Sequence, residues 1–481
     1  MPYDYDLICI GSGPAGQRAA VQAAKLGKKV AIVERKEIVG GVCVNTGTIP
    51  SKTLREAILH FSGIQQRAFY GASYIVKDDL KIGDILGRCN MVITREIDVI
   101  RSQLHRNGIA LLGGEASFTG PHELDIKSAT GGVNHLDAEF IVIATGTTPS
   151  VPPNVTLDHD RLLSSDGILS LKFLPHSMTV VGGGVIGIEY ASMFAALGTE
   201  VTIVDQRKVL LEFIDGEIRD DLIYQLREMG CTFRLGEEVA HVDLQAHGDH
   251  AHAVTHLKSG KQIMTDAVLF SAGRTGATGP LNLAAAGVSA DARGRIKVDA
   301  EYRTAVPHIF AVGDVIGFPS LASASFEQGR LAAAHAFGME TRPMRELLPI
   351  GIYTIPEISF AGKTEEELTA KEIPYEIGIS RYRELARGQI LGDSIGILKL
   401  LVSAEDRTLL GVHVFGTSAT ELLHIGQTVM GLGGTVDYLI DQVFNYPTLA
   451  ESYKVAALDA TNKLQALGRM AGAPAVTAAD A

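Results

Sequence analysis

The hydrophobic pattern opens on Asp6-Leu-Ile-Cys-Ile10, an apolar run of strand length that leads directly into a glycine-rich turn, GSGPAG, from Gly11 to Gly16. The next stretch, QRAAVQAAKLG, keeps helical spacing, and a second apolar run from Lys29 to Val33 ends in the acid Glu34. This succession then returns. Thr179-Val-Val leads into GGGVIG, which holds Gly182, Gly184 and Gly187, then a helix through Glu189 and Ala195, then a strand from Glu200 to Val204 ending in Asp205. Gly11 and Gly182, Gly16 and Gly187, and Glu34 and Asp205 are each 171 residues apart. A strand, a glycine turn, a helix and a second strand ending in a carboxylate form the βαβ dinucleotide pattern. Its glycines allow a tight turn and close approach to a pyrophosphate, and its acid accepts a ribose 2′-OH. The pattern predicts two dinucleotide sites on one chain, Gly11, Gly13, Gly16 and Glu34 at the first and Gly182, Gly184, Gly187 and Asp205 at the second.

Between the copies, apolar residues from about Lys81 to Arg106 recur at three and four spacing and predict a long scaffold helix. The run Phe140 to Pro149 reads as a buried strand ending in a tight turn that contains Thr145 and Gly146; Ala267 to Arg274 repeats that ending at Gly273. A further strand from His308 to Val312 runs into Gly313 and Asp314, placing a carboxylate at a strand's C-terminal edge, where open α/β sheets bind ligands. From about Leu347 shorter strands, Gly396 to Val402 and Gly411 to Phe415 among them, alternate with helices and predict an α+β unit suited to association. The small, weakly apolar residues after Gly468 predict a loosely ordered tail.

Composition narrows the function. At 481 residues the chain exceeds one core and suggests about three domains at roughly 150 residues each. Hydrophobic residues make up 46% and charged residues 20%, and every apolar run is broken before the roughly 18 residues of a membrane span. No membrane association is expected. The N-terminus has no basic region before its apolar residues, so a cytoplasmic location is expected. A net charge of −12 disfavours nucleic-acid binding. The four cysteines (Cys9, Cys43, Cys89, Cys231) form no CxxC and no metal-ligand spacing, so neither a disulfide scaffold nor a metal site is expected.

Several segments together make the chain similar to the flavoprotein disulfide reductases. They are GSGPAG with Glu34, GGVCVNTG with Pro50-Ser51-Lys52, the turn Ala144 to Gly146, GGGVIGIE, Gly273-Arg274, Ala311 to Asp314, and YPTLAE near the C-terminus. The resemblance covers nearly the whole length. It implies an α/β fold of two Rossmann-type domains, with FAD on residues 1–150 and 275–345, NAD(P) on 151–274, and an α+β dimerisation domain on 346–467. It also implies that Asp314 contacts the flavin ribitol, that Lys52 and Glu189 form an ion pair beside the isoalloxazine, and that the protein is a homodimer or a higher oligomer.

Two departures set this chain apart from the thiol-using members. Their CxxxxC loop reads Cys43 to Thr48 here, and the histidine that precedes their C-terminal Pro-Thr is Tyr446, with Glu451 retained. A lone thiol cannot cycle through a disulfide, and tyrosine does not titrate near neutrality. With both parts missing, the chain resembles the transhydrogenases, which share its GTIPSK segment from Gly47 to Lys52 and its FNYPT segment from Phe444 to Thr448; this implies hydride exchange between NADPH and NAD through FAD in a ping-pong sequence. Asp205 suits the ribose 2′-OH of NAD, and Arg207 and Lys208 suit the 2′-phosphate of NADP. Thr48 either donates a hydrogen bond toward the flavin or fills space, and Glu451 either acts in catalysis or supports an interface. Two other functions stay open at this point: an NAD(P)H-dependent quinone or dye reductase, and a non-catalytic FAD-binding scaffold.

Overall fold

A computed structural model describes residues 3–470 apart from 72, 75, 153, 154, 248 and 249. It separates into two compact units, Met1–Ala57 with Lys81–Leu174 and Leu269–Met344, and Ile58–Leu80 with Pro175–Val268 and Arg345–Ala481.

In the first unit the strands Ala110–Gly113, Val30–Glu34, Tyr5–Ile10, Val133–Ile143 and Ile309–Ala311 lie side by side in that order, all parallel. Alternation along Tyr5–Ile10 builds two cores from one strand. Leu7 and Cys9 pack with Ala19, Ala23 and Leu331 on one face, whereas Ile8 and Ile10 pack with Phe118, Ile126 and Val315 on the other. The opposite face is closed by the antiparallel meander Glu115–Phe118 and Glu123–Lys127, which pairs with the first half of Val133–Ile143. The predicted scaffold helix spans Ile82–Arg106, and it buries Ile100 and Leu104 in the same core as Leu7.

The second unit repeats the parallel arrangement with Thr232–Leu235, Glu200–Asp205 and Ser177–Val181. A three-stranded antiparallel sheet follows, Val239–His247, His250–Leu257 and Gln262–Thr265. The C-terminal part of this unit is a five-stranded antiparallel sheet in the order Ile350–Ile352, Ile358–Gly362, Leu409–Phe415, Ile397–Ser403, Tyr375–Arg381. The helices Ala419–Gly431 and Glu451–Met470 supply Leu423, Tyr453 and Ala457 to its core. Lys399 is fully buried in this unit and is bonded to Asp215 at 2.9 Å, to Glu217 at 3.0 Å and to Glu365. Burial alone would raise Asp215, but His413 and Lys399 outweigh it and hold that carboxyl below its usual range.

The last helix continues through Met470 into the stretch expected to be loosely ordered, and the rest of that tail, residues 471–481, lies outside the described residues. Among the described residues no helix is long and apolar enough to cross a membrane.

Candidate functional site

The first glycine turn caps the helix Pro14–Lys25, whose N-terminal amides and dipole face the turn as a ready-made anion site. Gly11 sits at φ 109°, a conformation open to glycine, and a methyl group added there would lie 2.4 Å from the carbonyl oxygen of Ala144. A methyl group on Gly16 would lie 2.0 Å from the carbonyl of Gly11, so this glycine lets helix and turn close together and stands behind the site. Gly13, by contrast, faces open space.

That space is a cleft of about 1180 Å³ when its solvent-open mouth is included. Gly11, Gly13, Glu34, Cys43, Thr48, Thr145, Gly146 and Asp314 all line it, whereas Gly16, Lys52 and Gly273 do not. Lys52 lies one turn beyond Thr48 on the helix Thr48–Ser62 and is partly buried. Gly273 takes φ 115° and accepts a hydrogen bond at its carbonyl from the Ser150 amide.

Glu34 is held ready by its own loop. Its Oε2 accepts hydrogen bonds from the Ser12 amide at 3.1 Å and the Ser12 hydroxyl at 2.6 Å, and its Oε1 accepts from the Lys36 amide at 3.0 Å. Ser12 is the part that sequence reasoning missed. Its only signal is that a serine stands in the first turn where the second copy has Gly183. Asp314 is partly buried on the cavity wall, and its desolvation pushes the carboxyl above the usual range, with Arg274 acting the other way. Arg274 is itself fixed, with Nε donating to Thr147 Oγ1 at 2.8 Å and Nη1 to Asp166 Oδ1 at 2.7 Å.

Cys43 and Thr48 lie beside each other on this cavity. Burial raises the thiol above its ordinary range, and the hydrogen bond with the Thr48 hydroxyl opposes that rise. All four cysteines are free; Cys9, Cys89 and Cys231 are buried, and burial pushes Cys231 up to about 12. The orphaned, buried hydroxyl of Thr145 lies on the cavity wall and lacks a hydrogen-bond partner. With Gly13 left clear, the Glu34 carboxylate placed for a ribose and Thr145 waiting for a partner, these residues fit an adenine dinucleotide such as FAD.

In the second unit Gly182 takes φ 103°, and Asp205 accepts from the Gly183 amide at 2.7 Å, as Glu34 does from Ser12. Here the acid has a cationic partner. Arg207 donates to Asp205 through its amide at 2.8 Å, Nε at 3.0 Å and Nη2 at 2.6 Å. Burial would raise Asp205, but the hydrogen bonds from Arg207 and the Gly183 amide outweigh it and lower its carboxyl. Lys208 is exposed next to them. Gly184 faces open space, and Gly187 is buried in the helix Val185–Ala196. Glu189, buried on that helix, accepts from the Tyr353 amide at 2.8 Å. Near the C-terminus Tyr446 is 75% exposed, and Glu451 accepts from the Thr448 amide at 3.3 Å in the first turn of its helix.

Residues 5–329 match the pyridine nucleotide-disulphide oxidoreductase family, and residues 348–457 match that family's dimerisation domain. The chain belongs to the pyridine nucleotide-disulphide oxidoreductase family. Members of this family are FAD-dependent and use NAD(P) as substrate, so the chain is an oxidoreductase with FAD and NAD(P) as its cofactors. A soluble pyridine nucleotide transhydrogenase of Mycobacterium bovis is 58% identical over 467 residues, covering 97% of this chain and 99% of that protein. A protein of the same name from Colwellia psychrerythraea is 45% identical over 466 residues, 96% of this chain and 99% of its own. Among solved structures, the HOCl-induced flavoprotein disulfide reductase RclA of Escherichia coli is 28% identical with a TM-score of 0.85, covering 94% of this chain and 99% of that one. LpdA of Mycobacterium tuberculosis is 25% identical with a TM-score of 0.86 and the same coverage.

Proposed function

We propose that this member of the family is a cytoplasmic, homodimeric transhydrogenase that moves hydride between NADPH and NAD by way of FAD and without a redox disulfide. The observation that carries the reading is the pairing of Cys43 with Thr48 on the cavity wall, because a hydroxyl cannot form a disulfide with a thiol. FAD, when bound, supplies a two-electron acceptor and donor. Gly11, Gly13, Glu34, Thr145, Gly146 and Asp314 hold it, and Gly16 and Gly273 keep their turns in shape for it. Thr48 takes the place of a second sulfur and offers a hydroxyl hydrogen bond. Lys52 and Glu189 are the charged groups assigned to hydride transfer. The second glycine turn takes either nicotinamide dinucleotide in turn, Asp205 serving a free 2′-OH and Arg207 with Lys208 a 2′-phosphate.

Domain roles follow the same reading: residues 1–150 and 275–345 serve FAD, 151–274 serve NAD(P), and 346–467 serve association. The exposed Leu432, Tyr438, Val443 and Tyr446, at 54–92% exposure within the matched dimerisation segment, suit burial against a second copy. Identity of 58% over almost the whole length to a protein named for this activity supports the assignment.

Anaerobic stopped-flow mixing of the purified holoenzyme tests it. NADPH should bleach the flavin absorbance, and NAD added afterwards should restore it. Restoration by a quinone but not by NAD would instead point to a quinone or dye reductase, and no bleaching by either nucleotide would leave a scaffold role.

A further inference from the structure

We propose that the exposed face of the hairpin Val239–His247 and His250–Leu257 is a binding site for one divalent transition-metal ion, held by His241 Nε2, His256 Nε2 and a carboxylate oxygen of Asp243. These three atoms lie within 4.8 Å of one another. His241 and His256 are direct cross-strand partners, and Asp243, two residues along, shares their face. A bulge between Val239 and His241 shifts the register just before this pair and re-aims the strand.

The separations match coordination geometry. Asp243 Oδ2 lies 3.3 Å from His241 Nε2 and 3.2 Å from His256 Nε2. Tetrahedral zinc with ligands at about 2.0–2.1 Å places those ligands roughly 3.3–3.4 Å apart, which is the spacing of the carboxylate oxygen from each imidazole. A second, independent feature points the same way: the Nε2 of His256 is buried and makes no hydrogen bond, its approach to Asp243 being out of line for one. The two imidazoles are stacked at 4.2 Å with planes 11° apart, so binding requires both rings to rotate out of this stack until their in-plane lone pairs meet at the ion. Gln262, the register partner of His256 on the next strand, lies on the same face and offers an amide oxygen or leaves room for water as the fourth ligand.

Two imidazoles and one carboxylate favour a metal of borderline softness such as Zn²⁺ over Mg²⁺ or Ca²⁺, which prefer all-oxygen shells. Bound there, the ion clips the two strands of the hairpin together within the second unit. A search for cysteine spacing misses such a site, because its ligands converge across a register rather than along the chain.

Tag-free holoenzyme is treated with a chelator, exchanged into chelator-free buffer, and titrated with Zn²⁺ in competition with a chromophoric chelator. One tight equivalent per chain is expected. H241Q, H256Q and D243N should each weaken it by at least about tenfold, as ligand loss costs no less than loss of an outer-shell partner. Flavin absorbance and circular dichroism report that each variant is folded. Two further histidines in this hairpin's sequence, His247 and His250, are replaced together in H247Q/H250Q, which should retain the tight equivalent. Co²⁺ in place of Zn²⁺ should give visible bands of four-coordinate intensity that H256Q abolishes. Absence of a stoichiometric equivalent overturns the proposal, as does binding that survives H241Q and H256Q or that disappears in H247Q/H250Q.

Discussion

Arg207→Ala should separate the two nicotinamide nucleotides. In the structure the guanidinium is 47% exposed and folded onto Asp205 through Nε and Nη2. It can therefore leave that carboxylate for an incoming 2′-phosphate without disturbing the core. Removing it costs NADPH one charge-assisted contact, about 1.5–3 kcal/mol, which corresponds to roughly a 10- to 150-fold fall in kcat/KM. NADH carries a 2′-OH instead. Asp205 would still be held by the Gly183 amide at 2.7 Å and the residue-207 amide at 2.8 Å, and would be freed of the guanidinium that competes for its oxygens. Its kcat/KM should thus stay constant or rise slightly. Steady-state rates of flavin reduction by each nucleotide, measured at two ionic strengths, check the prediction, and the NADPH penalty should shrink at high salt as the wild-type contact is screened. Equal losses for both nucleotides would refute the argument, because a general collapse of the turn rather than a lost phosphate contact would explain them.

Four further outcomes follow from the same geometry. Gly16→Ala forces a methyl to within 2.0 Å of the Gly11 carbonyl and should yield protein with a reduced flavin-to-protein absorbance ratio and a stability loss of about 1–3 kcal/mol; full flavin occupancy would contradict it. Lys399→Met leaves Asp215 buried and without its cation, so urea unfolding of the second unit's transition should shift by about 3–5 kcal/mol, and a shift under 1 kcal/mol would count against a buried ion network. Because the folded-state carboxyl of Asp215 is lowered, its contribution is complete above the unfolded aspartate range near pH 4 and is lost as pH falls through its folded value; the wild-type and Lys399→Met stability curves should therefore converge only in acid. Cys43 is raised by burial, so at pH 8 it carries less thiolate than a free cysteine and should alkylate more slowly, gaining rate as pH rises; mass-spectrometric labelling at or above the free-thiol rate would refute this.

Much of this protein was written in local sequence. Strand, glycine turn, helix and acid are consecutive, so each dinucleotide unit announces itself within about 30 residues, and the two units repeat at a spacing of 171 residues. The loss of the sulfur pair was equally plain at Cys43 and Thr48, because identity alone decides whether a disulfide can form. Other features depend on chain segments meeting at long range. Nothing in the sequence near Arg274 points to Asp166, 108 residues away, nor does Lys399 announce Asp215, 184 residues away. Ser12 carries no mark of its own in the sequence, and its hydroxyl reaches Glu34, 22 residues away, only in the folded turn. The cross-strand pairing of His241 with His256 depends on a bulge and a register that only the folded hairpin supplies. Local periodicity and turn chemistry act between near neighbours and can be read from order alone. Charge pairing, burial and ligand convergence depend on three-dimensional distance, which only the tertiary structure decides.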